Sequence, residues 1–289
     1  MAGTADRKDR IGQVIGKRFR VDALIGRGAM ADVFRALDLS TSAYVALKIL
    51  KSAIDHDPAA QQRFVREGEV QARLRHRNIA ALLASGVTEA DEPYLVVELL
   101  RGKTLRGVVK AEGALPPRRA ASYAWQALQG LAAVHEAGIL HRDLKPANIM
   151  LEPPPHGSPD LFDRVVLIDF GFASFEGSAK LTAQGSIVGS LSYIAPERFR
   201  GEKPDARSDL YSIAVILYEM LTGAPPFVAV QQFDLIEAHL NQPPPPLGPA
   251  FPAALDAVLA RSLAKDPAAR FADAAAMAAV LERATVELS

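Results

Sequence analysis

The stretch His141-Arg-Asp-Leu-Lys-Pro-Ala-Asn148 decides the fold of this chain. A fixed pattern of five residue types arises by chance about once in three million positions at uniform usage, so coincidence is a poor explanation. Farther along the chain, Asp169-Phe-Gly171 follows an apolar run at residues 165–168, which predicts a buried strand that ends by presenting a carboxylate. Ala195-Pro-Glu197 comes next. The first of these segments is the strongest single signal in the sequence.

Toward the N-terminus, a glycine-rich segment, Gly26-Arg-Gly-Ala-Met-Ala-Asp-Val33, lies between two strand-like runs. Taken alone, a Gly-x-Gly is often no more than a tight turn. In a hairpin, however, glycines let the backbone approach a polyphosphate closely and aim N–H groups at it. The residues that follow are strand-like rather than helical, which argues against a dinucleotide-binding fold. We therefore predict a loop that covers phosphates, in which Ala31 stands where such a loop usually has a third glycine.

Lys48 lies within an apolar strand, where a lone lysine would normally be an edge residue with a solvated head. A helix predicted over residues 59–76 supplies a carboxylate partner. At about 100° per residue, with Phe64 at zero, Glu67 falls at about 300° within the apolar stripe, whereas Glu69 falls at about 140°. Because Glu67 shares the apolar face it needs a cation, so we predict an ion pair with Lys48. Glu69 is expected in solvent.

Composition excludes several classes of protein. The chain has 289 residues, with 33 Lys+Arg against 33 Asp+Glu and no Cys. A neutral total gives no global electrostatic reason to expect nucleic acid or an acidic membrane as partner. Without cysteine there is no disulfide framework, thiolate zinc site or Cys nucleophile, and a reducing, cytoplasmic setting fits. The longest apolar run, residues 274–281, is far below the roughly 20 residues that cross a bilayer, so we expect any membrane anchor to lie outside this chain.

The element pattern predicts a small β-rich lobe and a larger α-rich lobe, forming one catalytic domain overall. Residues 1–14 carry charges of both signs without a long apolar stretch, which predicts a disordered leader. Strand-like runs dominate residues 15–100, and helical periodicity dominates residues 101–289. The predicted strands are residues 19–25, 32–37, 44–50 and 94–97, and the predicted helices of the second lobe are residues 118–137, 206–222, 231–240, 252–263 and 272–287.

Together these motifs resemble those of the eukaryotic-type, or Hanks-type, protein kinases, in the same order and over about residues 15–285. Lys145 with Pro146 is similar to the Ser/Thr branch, and Ser190 stands where Ser/Thr kinases usually carry threonine. The alanine-rich sequence looks most like those of bacterial members of the family. The resemblance implies a bilobal α+β protein kinase fold, with one key helix in the N-lobe. It also implies a Ser/Thr protein kinase that transfers the γ-phosphate of ATP to protein hydroxyls.

The resemblance further implies roles for individual residues. Asp143 would orient the acceptor hydroxyl and accept its proton, while Lys145 would neutralise the transferring phosphate. Lys48, fixed by Glu67, would contact the α- and β-phosphates. Asn148 and Asp169 would supply oxygen ligands for Mg²⁺, with Mn²⁺ as an alternative. The residues expected to contact ATP are Ile25, Gly26, Arg27, Gly28, Ala29, Val33, Ala46, Lys48, Val97, Glu98, Leu100 and Met150, with Leu151 as the alternative to Met150.

Regulation is expected at the loop that follows Asp169. Arg142, beside the catalytic aspartate, implies control by phosphorylation, because arginine can hold a phosphoryl group bidentately and order a segment. Thr182 and Ser186 are the candidate sites for autophosphorylation, with Ser174 and Ser178 weaker. The alternative is that the loop carries no phosphate charge and is ordered without it.

The resemblance also implies that four residues are scaffold rather than catalytic. Glu197 should pair with Arg270, and Asp209 should start the central helix and hold the backbone of the catalytic loop. His141 is expected to be structural although it lies close to Asp143 in the sequence.

The chain departs from the family pattern in two places. Asp143 and Asp169 lie 26 positions apart (169 − 143), because residues 152–159 form a proline-rich insertion that we expect to be a surface loop. Gly68 lies inside the helix that carries Glu67, where glycine costs up to about 1 kcal/mol relative to alanine. That cost predicts an easily displaced helix and an inactive resting state.

Two rival functions stay open. The first is a pseudokinase that acts as a binding scaffold and shows no magnesium-dependent ATP turnover. The presence of the family's residues at all the catalytic positions of this chain argues against it. A small-molecule kinase of related fold would phosphorylate metabolites rather than proteins, and the glycine loop with Ala195-Pro-Glu197 argues against it.

Overall fold

The structure is a computed structural model that describes residues 10–28, 30–51, 58–155, 157–158, 161–170 and 191–285. The chain divides into two compact units. The first contains the residues up to Arg75 together with Ala80–Leu100, and the second contains His76–Ile79 together with Arg101–Ser289. The first unit is rich in strands and the second is mostly helical.

A six-stranded antiparallel sheet with the order β1-β2-β3-β4-β6-β5 forms the first unit. Its strands are β1 (Val14–Ile15), β2 (Phe19–Arg27), β3 (Ala31–Asp38), β4 (Ala43–Leu50), β5 (Leu82–Val87) and β6 (Pro93–Glu98). Because side chains alternate along a strand, Val45, Leu47 and Ile49 of β4 share one face. There they join a core with Phe34, and Lys48 lies on the opposite face.

Helix α1 (Pro58–Gln71) packs against the sheet through Phe64, which is buried in a cluster with Leu50 and Leu95. The helix ends earlier than the predicted residue 76. The side chain of Gln71 is buried, and its Nε2 donates to the carbonyl oxygen of Ala80 at 2.9 Å, where the chain leads into β5. The last residue of α1 is therefore bonded to the segment that leads into β5.

The second unit contains helices α2 (Leu105–Glu112), α3 (Pro117–Glu136), α4 (Pro196–Phe199), α5 (Ala206–Thr222), α6 (Gln232–Asn241), α7 (Ala253–Ser262) and α8 (Ala274–Thr285). Helix α5 is buried along almost its whole length. Asp205 caps its N-terminus by accepting from Arg207 N at 2.8 Å, and Gly223, with φ 84°, ends it in the left-handed conformation that glycine adopts without strain. No helix among the described residues combines the length and apolar character needed to cross a bilayer.

A three-stranded antiparallel sheet completes the second unit, with β7 (Lys103–Thr104), β8 (Ile149–Glu152) and β9 (Arg164–Leu167) in that order. A single turn of 3₁₀ helix, Pro146–Asn148, leads into β8. The proline-rich insertion connects β8 to β9, and Pro153 and Pro155 are exposed, as expected of a surface loop. Across the hairpin, Arg164 Nη2 lies 2.8 Å from Glu152 Oε2.

The N-terminal leader predicted over residues 1–14 is wrong for residues 10–14, and residues 1–9 lie outside the described part. Val14 pairs with Arg20 at the edge of the sheet, and Gly12 N donates to Val21 O at 2.8 Å. Arg10 Nη2 contacts both carboxylate oxygens of the buried Glu92, at 2.6 and 2.7 Å. The buried carboxylate of Glu92 and the open edge of the sheet hold residues 10–14 in place. Neither of these contacts is visible in the sequence of the leader.

Candidate active site

The segment His141–Asn148, which carries the predicted catalytic aspartate, has a strained backbone. Arg142 has φ 65°, in the left-handed region that non-glycine residues enter at a cost of roughly 1–3 kcal/mol unless the surroundings enforce it. Here the backbone N–H groups of His141 and Arg142 donate to Asp209 Oδ2 and Oδ1, at 2.9 and 3.0 Å. Asp143 N donates back to His141 O at 2.9 Å. One buried carboxylate therefore fixes the peptides that precede Asp143.

Asp209 lies in the first turn of α5 rather than at its start, because Asp205 is the capping residue. Burial by itself would raise the pKa of Asp209, but hydrogen bonds from His135 and the loop backbone hold that pKa below its ordinary value. His135 Nε2 lies 2.9 Å from Asp209 Oδ2. The carboxylate is therefore ionised and can accept from the loop, which is the holding role predicted for it.

Both carboxylate oxygens of Asp143 are engaged by neighbouring side chains. Lys145 Nζ lies 2.8 and 3.0 Å from them, and Asn148 Nδ2 donates to Oδ2 at 2.9 Å and to the Asp143 carbonyl oxygen at 2.8 Å. These contacts fix the side-chain rotamer, while the Asp143 side chain keeps 31% of its surface exposed. The structure thus presents an oriented carboxylate beside a cation at an accessible position.

Asp169 follows β9 with an exposed side chain and φ 52°, a second strained residue. The preceding Ile168 N donates to Asn148 O at 3.0 Å, which joins the two segments that carry the predicted metal ligands. Phe170 is buried, and its ring centroid lies 4.8 Å from that of His141. Burial lowers the pKa of His141, so its imidazole ring is neutral and packs against Phe170. This agrees with the structural role expected for it.

The described residues contain no group of three His, Asp or Glu side chains that could hold a metal on their own. Asn148 and Asp169 are oxygen donors, and the amide nitrogen of Asn148 makes both of its contacts with Asp143. Oδ1 is therefore the atom of Asn148 suited to a cation. Two protein oxygens fit Mg²⁺, which keeps waters and substrate phosphates as its other ligands.

In the first unit, Lys48 Nζ lies 2.6 Å from Glu67 Oε1, so the ion pair that the helical periodicity predicts is present. Both side chains are mostly buried, with 17% and 11% of their surfaces exposed, and the Lys48 ammonium also lies 5.9 Å from the centre of the Phe64 ring. Glu69 is exposed.

Gly68 has a packing reason to be glycine. A Cβ at this position would lie 2.5 Å from Leu95 Cδ2, because α1 approaches the sheet closely here. Leu95 is buried in the cluster with Phe64 and cannot easily move. Gly68 therefore allows close contact between α1 and the sheet, whereas the sequence analysis interprets it as a residue that makes the helix easy to displace.

Five of the predicted ATP contacts share one face of the sheet. Val33 is the register partner of both Gly26 and Lys48, and Ala46 is the partner of Val97. Directly opposed residues project to the same side, and so do residues two apart. The alternation thus brings the glycine strand, the lysine and the small apolar side chains together.

The remaining predicted contacts differ in their surroundings. Ile25, Arg27 and Gly28 are exposed near the end of β2, and Ala29 lies outside the described residues. Glu98 N donates to Ala81 O at 3.0 Å, so this N–H serves the sheet rather than a ligand. Leu100 is half-buried and is the last residue of the first unit.

Met150 and Leu151, the two alternatives for the C-lobe lining, point in opposite directions. Leu151 is buried in the core of the second unit, whereas Met150 is half-buried on the other side of β8. The strand alternation therefore favours Met150.

Glu197 and Arg270 form a buried bidentate pair. Arg270 Nη1 and Nη2 lie 2.9 and 2.8 Å from the two carboxylate oxygens, and Ser208 Oγ donates to Oε1 at 2.6 Å. Burial would raise the pKa of Glu197, but the hydrogen bonds from Arg270 and Ser208 hold that pKa below its ordinary value. The pair fixes α4 to the helical core, as expected.

Sequence reasoning missed two cations that touch the site. Lys51 Nζ donates to Gly28 O in the glycine-rich loop, and Lys51 N donates to Met30 O at 2.9 Å. Arg198 Nη1 donates to Arg142 O at 2.6 Å. Neither residue belongs to a motif, and the contacts arise only from the folded chain. Thr182, Ser186, Ser174, Ser178 and Ser190 lie within residues 171–190, outside the described part.

Similarity to known proteins agrees with this geometry. The family model described as the protein kinase domain matches residues 19–281. The chain belongs to the protein kinase family. The fold class is confirmed, and so is the identification as a Hanks-type Ser/Thr kinase catalytic domain of the bacterial kind. The family implies the use of ATP and a divalent metal.

Among curated relatives of this kinase domain, the probable serine/threonine-protein kinase PknB of Corynebacterium glutamicum is 36% identical over 282 residues, which cover 93% of this chain and 42% of the relative. The serine/threonine-protein kinase pkn3 of Myxococcus xanthus is 37% identical over 288 residues, 96% of this chain and 52% of the relative. The chain thus spans about half, or less, of the length of these relatives.

Among solved structures, the kinase domain of Mycobacterium tuberculosis PknI is similar with a TM-score of 0.71 and 27% identity, covering 95% of this chain and 98% of that one.

Proposed function

We propose that this kinase domain transfers the γ-phosphate of ATP to Ser or Thr hydroxyls of proteins. The observation that carries the proposal is the fixed Asp143 carboxylate, held by Lys145 and Asn148 with contacts of 2.8–3.0 Å. The acceptor hydroxyl gives its proton to Asp143 as its oxygen bonds to the γ-phosphorus, and the bond to the β-phosphate oxygen breaks to release ADP. Lys145 balances the negative charge of the transferring group, and this positioning supplies most of the catalysis in phosphoryl transfer.

In this proposal the nucleotide contacts come from the sheet of the first unit. Lys48, oriented by Glu67 at 2.6 Å, binds the α- and β-phosphates, and the backbone of the glycine-rich loop covers them. Ala46 and Val97 offer small apolar surfaces on the same face as Lys48, which suits a flat adenine ring. Since Glu98 N already donates to Ala81 O, the adenine would take other backbone groups of residues 98–100.

Mg²⁺ is the divalent ion we propose, with Mn²⁺ as an alternative, held by Asn148 Oδ1 and the Asp169 carboxylate. When bound, such an ion neutralises the phosphate charge and fixes the phosphate conformation. The hydrogen bonds from Asn148 Nδ2 to Asp143 couple the metal ligand to the proposed base, so that both are oriented by one side chain. A cytoplasmic location fits a chain without cysteine.

Regulation by autophosphorylation at Thr182 or Ser186 is part of the proposal. Arg142 supports it, since this half-buried arginine directly precedes Asp143 and could bind a phosphoryl group bidentately. Phosphopeptide mapping of active protein tests it. Modification at either residue is expected, and an active protein with both unmodified would contradict regulation at this loop.

The direct test of the proposed activity measures ADP release and acceptor labelling with ATP, Mg²⁺ and a generic protein. Asp143→Asn should abolish both, whereas Asp234→Asn, an exposed aspartate at the start of α6, should leave them unchanged. A wild-type chain that binds ATP without turnover would favour the pseudokinase alternative. Labelling of metabolites in preference to proteins would favour a small-molecule kinase.

A further inference from the structure

The peptide between Arg142 and Asp143 is held partly by a residue that lies outside the segment His141–Asn148. Asp209 accepts from the N–H groups of His141 and Arg142, and the N–H of Asp143 turns back to His141 O. The carbonyl oxygen of Arg142 accepts from Arg198 Nη1 at 2.6 Å. This carbonyl belongs to the peptide that directly precedes the proposed catalytic base. It also lies at the strained residue, with φ 65°.

Arg198 is itself firmly placed. It follows Glu197 on the short helix α4, and the buried pair between Glu197 and Arg270 anchors that helix to the core. The Arg198 side chain is half-buried, and burial lowers the pKa of its guanidinium, although Asp209 and Asp143 nearby offset part of this effect. Burying a cation is costly, and an aliphatic side chain could fill the same volume without that cost. The cost is understandable if the hydrogen bond to Arg142 is needed.

We propose that Arg198 is a positioning residue for phosphoryl transfer, which orients Asp143 by holding the Arg142 carbonyl. This inference rests on the proposed kinase activity. A left-handed non-glycine residue persists only where its neighbours over-determine it. Asp209 fixes the N-terminal side of Arg142, and Arg198 fixes the C-terminal side. Without Arg198 the peptide between residues 142 and 143 keeps the hydrogen bond from Asp143 N to His141 O but loses the one on its carbonyl oxygen, so the backbone of Asp143 and its carboxylate are held less firmly.

Three variants separate positioning from general packing. Arg198→Met keeps the aliphatic volume without a donor, Arg198→Lys keeps a cationic donor, and Arg200→Met is a matched control at the exposed residue after α4. The Met variant should lower kcat by about ten- to hundredfold, as misplacement of a catalytic group does, with the KM values for ATP and acceptor within about twofold of wild type. The Lys variant should retain kcat within about threefold, because it restores a charged hydrogen bond. The control should match wild type.

Hydrogen exchange of the peptide spanning residues 139–146 gives a second readout that needs no turnover. Exchange at the amides of residues 141–143 should rise in Arg198→Met and stay at the wild-type level in Arg198→Lys and Arg200→Met. If the Met variant does not fold by circular dichroism, Arg198→Leu, which also lacks a donor, takes its place.

Unchanged kcat and unchanged exchange in Arg198→Met would overturn the proposal. A Lys variant as impaired as the Met variant would also overturn it, as would a loss confined to KM. If wild type and Arg200→Met both lack phosphotransfer, the proposed function fails instead. The exchange comparison then still decides whether Arg198 holds the loop.

Discussion

Replacing Arg270 by methionine should destabilise the second unit strongly. The Arg270 side chain is fully buried and contacts both oxygens of Glu197, whose side chain is 3% exposed. Its guanidinium also donates to the carbonyl oxygens of Ala264 and Arg207, at 2.7 and 3.0 Å. Removing one partner leaves the other charge buried and uncompensated, at a cost of roughly 3–5 kcal/mol. Ser208, the remaining donor to Glu197, compensates only part of this loss.

A double-mutant cycle separates the ion pair from the packing. Glu197→Gln keeps an acceptor for Ser208, and in combination with Arg270→Met it leaves no charge buried. The double variant should therefore be less destabilised than the sum of the two single variants, with a coupling energy within the range of about 0.5–3 kcal/mol seen for contacting residues. Urea unfolding followed by fluorescence is suitable, because the single tryptophan, Trp125, packs against the core of the second unit.

The control is Arg207→Met, which removes a partly exposed partner of Asp205 and should cost no more than about 1 kcal/mol. If Arg270→Met costs no more than this control, or if the cycle shows no coupling, the buried pair does not anchor α4 as we describe.

Three further predictions concern the fold and the nucleotide site. Lys48→Met should lower kcat about 10²–10³-fold in a phosphotransfer assay while the circular dichroism spectrum is retained, and full activity would exclude its proposed role. Gly68→Ala should destabilise the first unit in a thermal melt. Overpacking against Leu95 costs about 1–3 kcal/mol, whereas the gain in helix propensity is about 1 kcal/mol. A stabilised variant would contradict the close contact. Burial, together with the charge of Lys265, lowers the pKa of the buried His239 from 6.5 to about 3. The unfolded chain therefore binds a proton between these values while the folded chain does not, and stability should fall as the pH drops from 6.5 toward 3, by up to about 1.4 kcal/mol per pH unit. Denaturant titrations at several pH values should show a flatter dependence for His239→Asn.

Features dictated by local chemistry could be predicted from the sequence. Helix α5 runs from Ala206 to Thr222 as predicted, because a capping aspartate precedes it and Gly223 follows it. The partner of Lys48 could be predicted because helical geometry places Glu67, and not Glu69, on the apolar face. Alternation along β8 could also have separated Met150 from Leu151, although the sequence analysis left both open.

Features that depend on distant neighbours could not be predicted. Helix propensity predicts that Gly68 weakens α1, but Leu95, on strand β6, leaves little room for a Cβ at this position. Likewise, Glu92 holds Arg10 from 82 positions away, so a polar leader sequence does not reveal an attached segment. Arg198 belongs to the same class, because only the folded chain brings it to the carbonyl oxygen of Arg142.

The central claim is that Asp143, held by Lys145 and Asn148, directs phosphate from ATP to protein Ser or Thr hydroxyls. Its most direct test incubates wild type, Asp143→Asn and Asp234→Asn with ATP, Mg²⁺ and a protein acceptor, and identifies the modified side chains by mass spectrometry. We predict phosphoserine or phosphothreonine in the wild-type and Asp234→Asn reactions and none with Asp143→Asn. Equal labelling by Asp143→Asn, or no protein phosphorylation by any of the three, would contradict the claim.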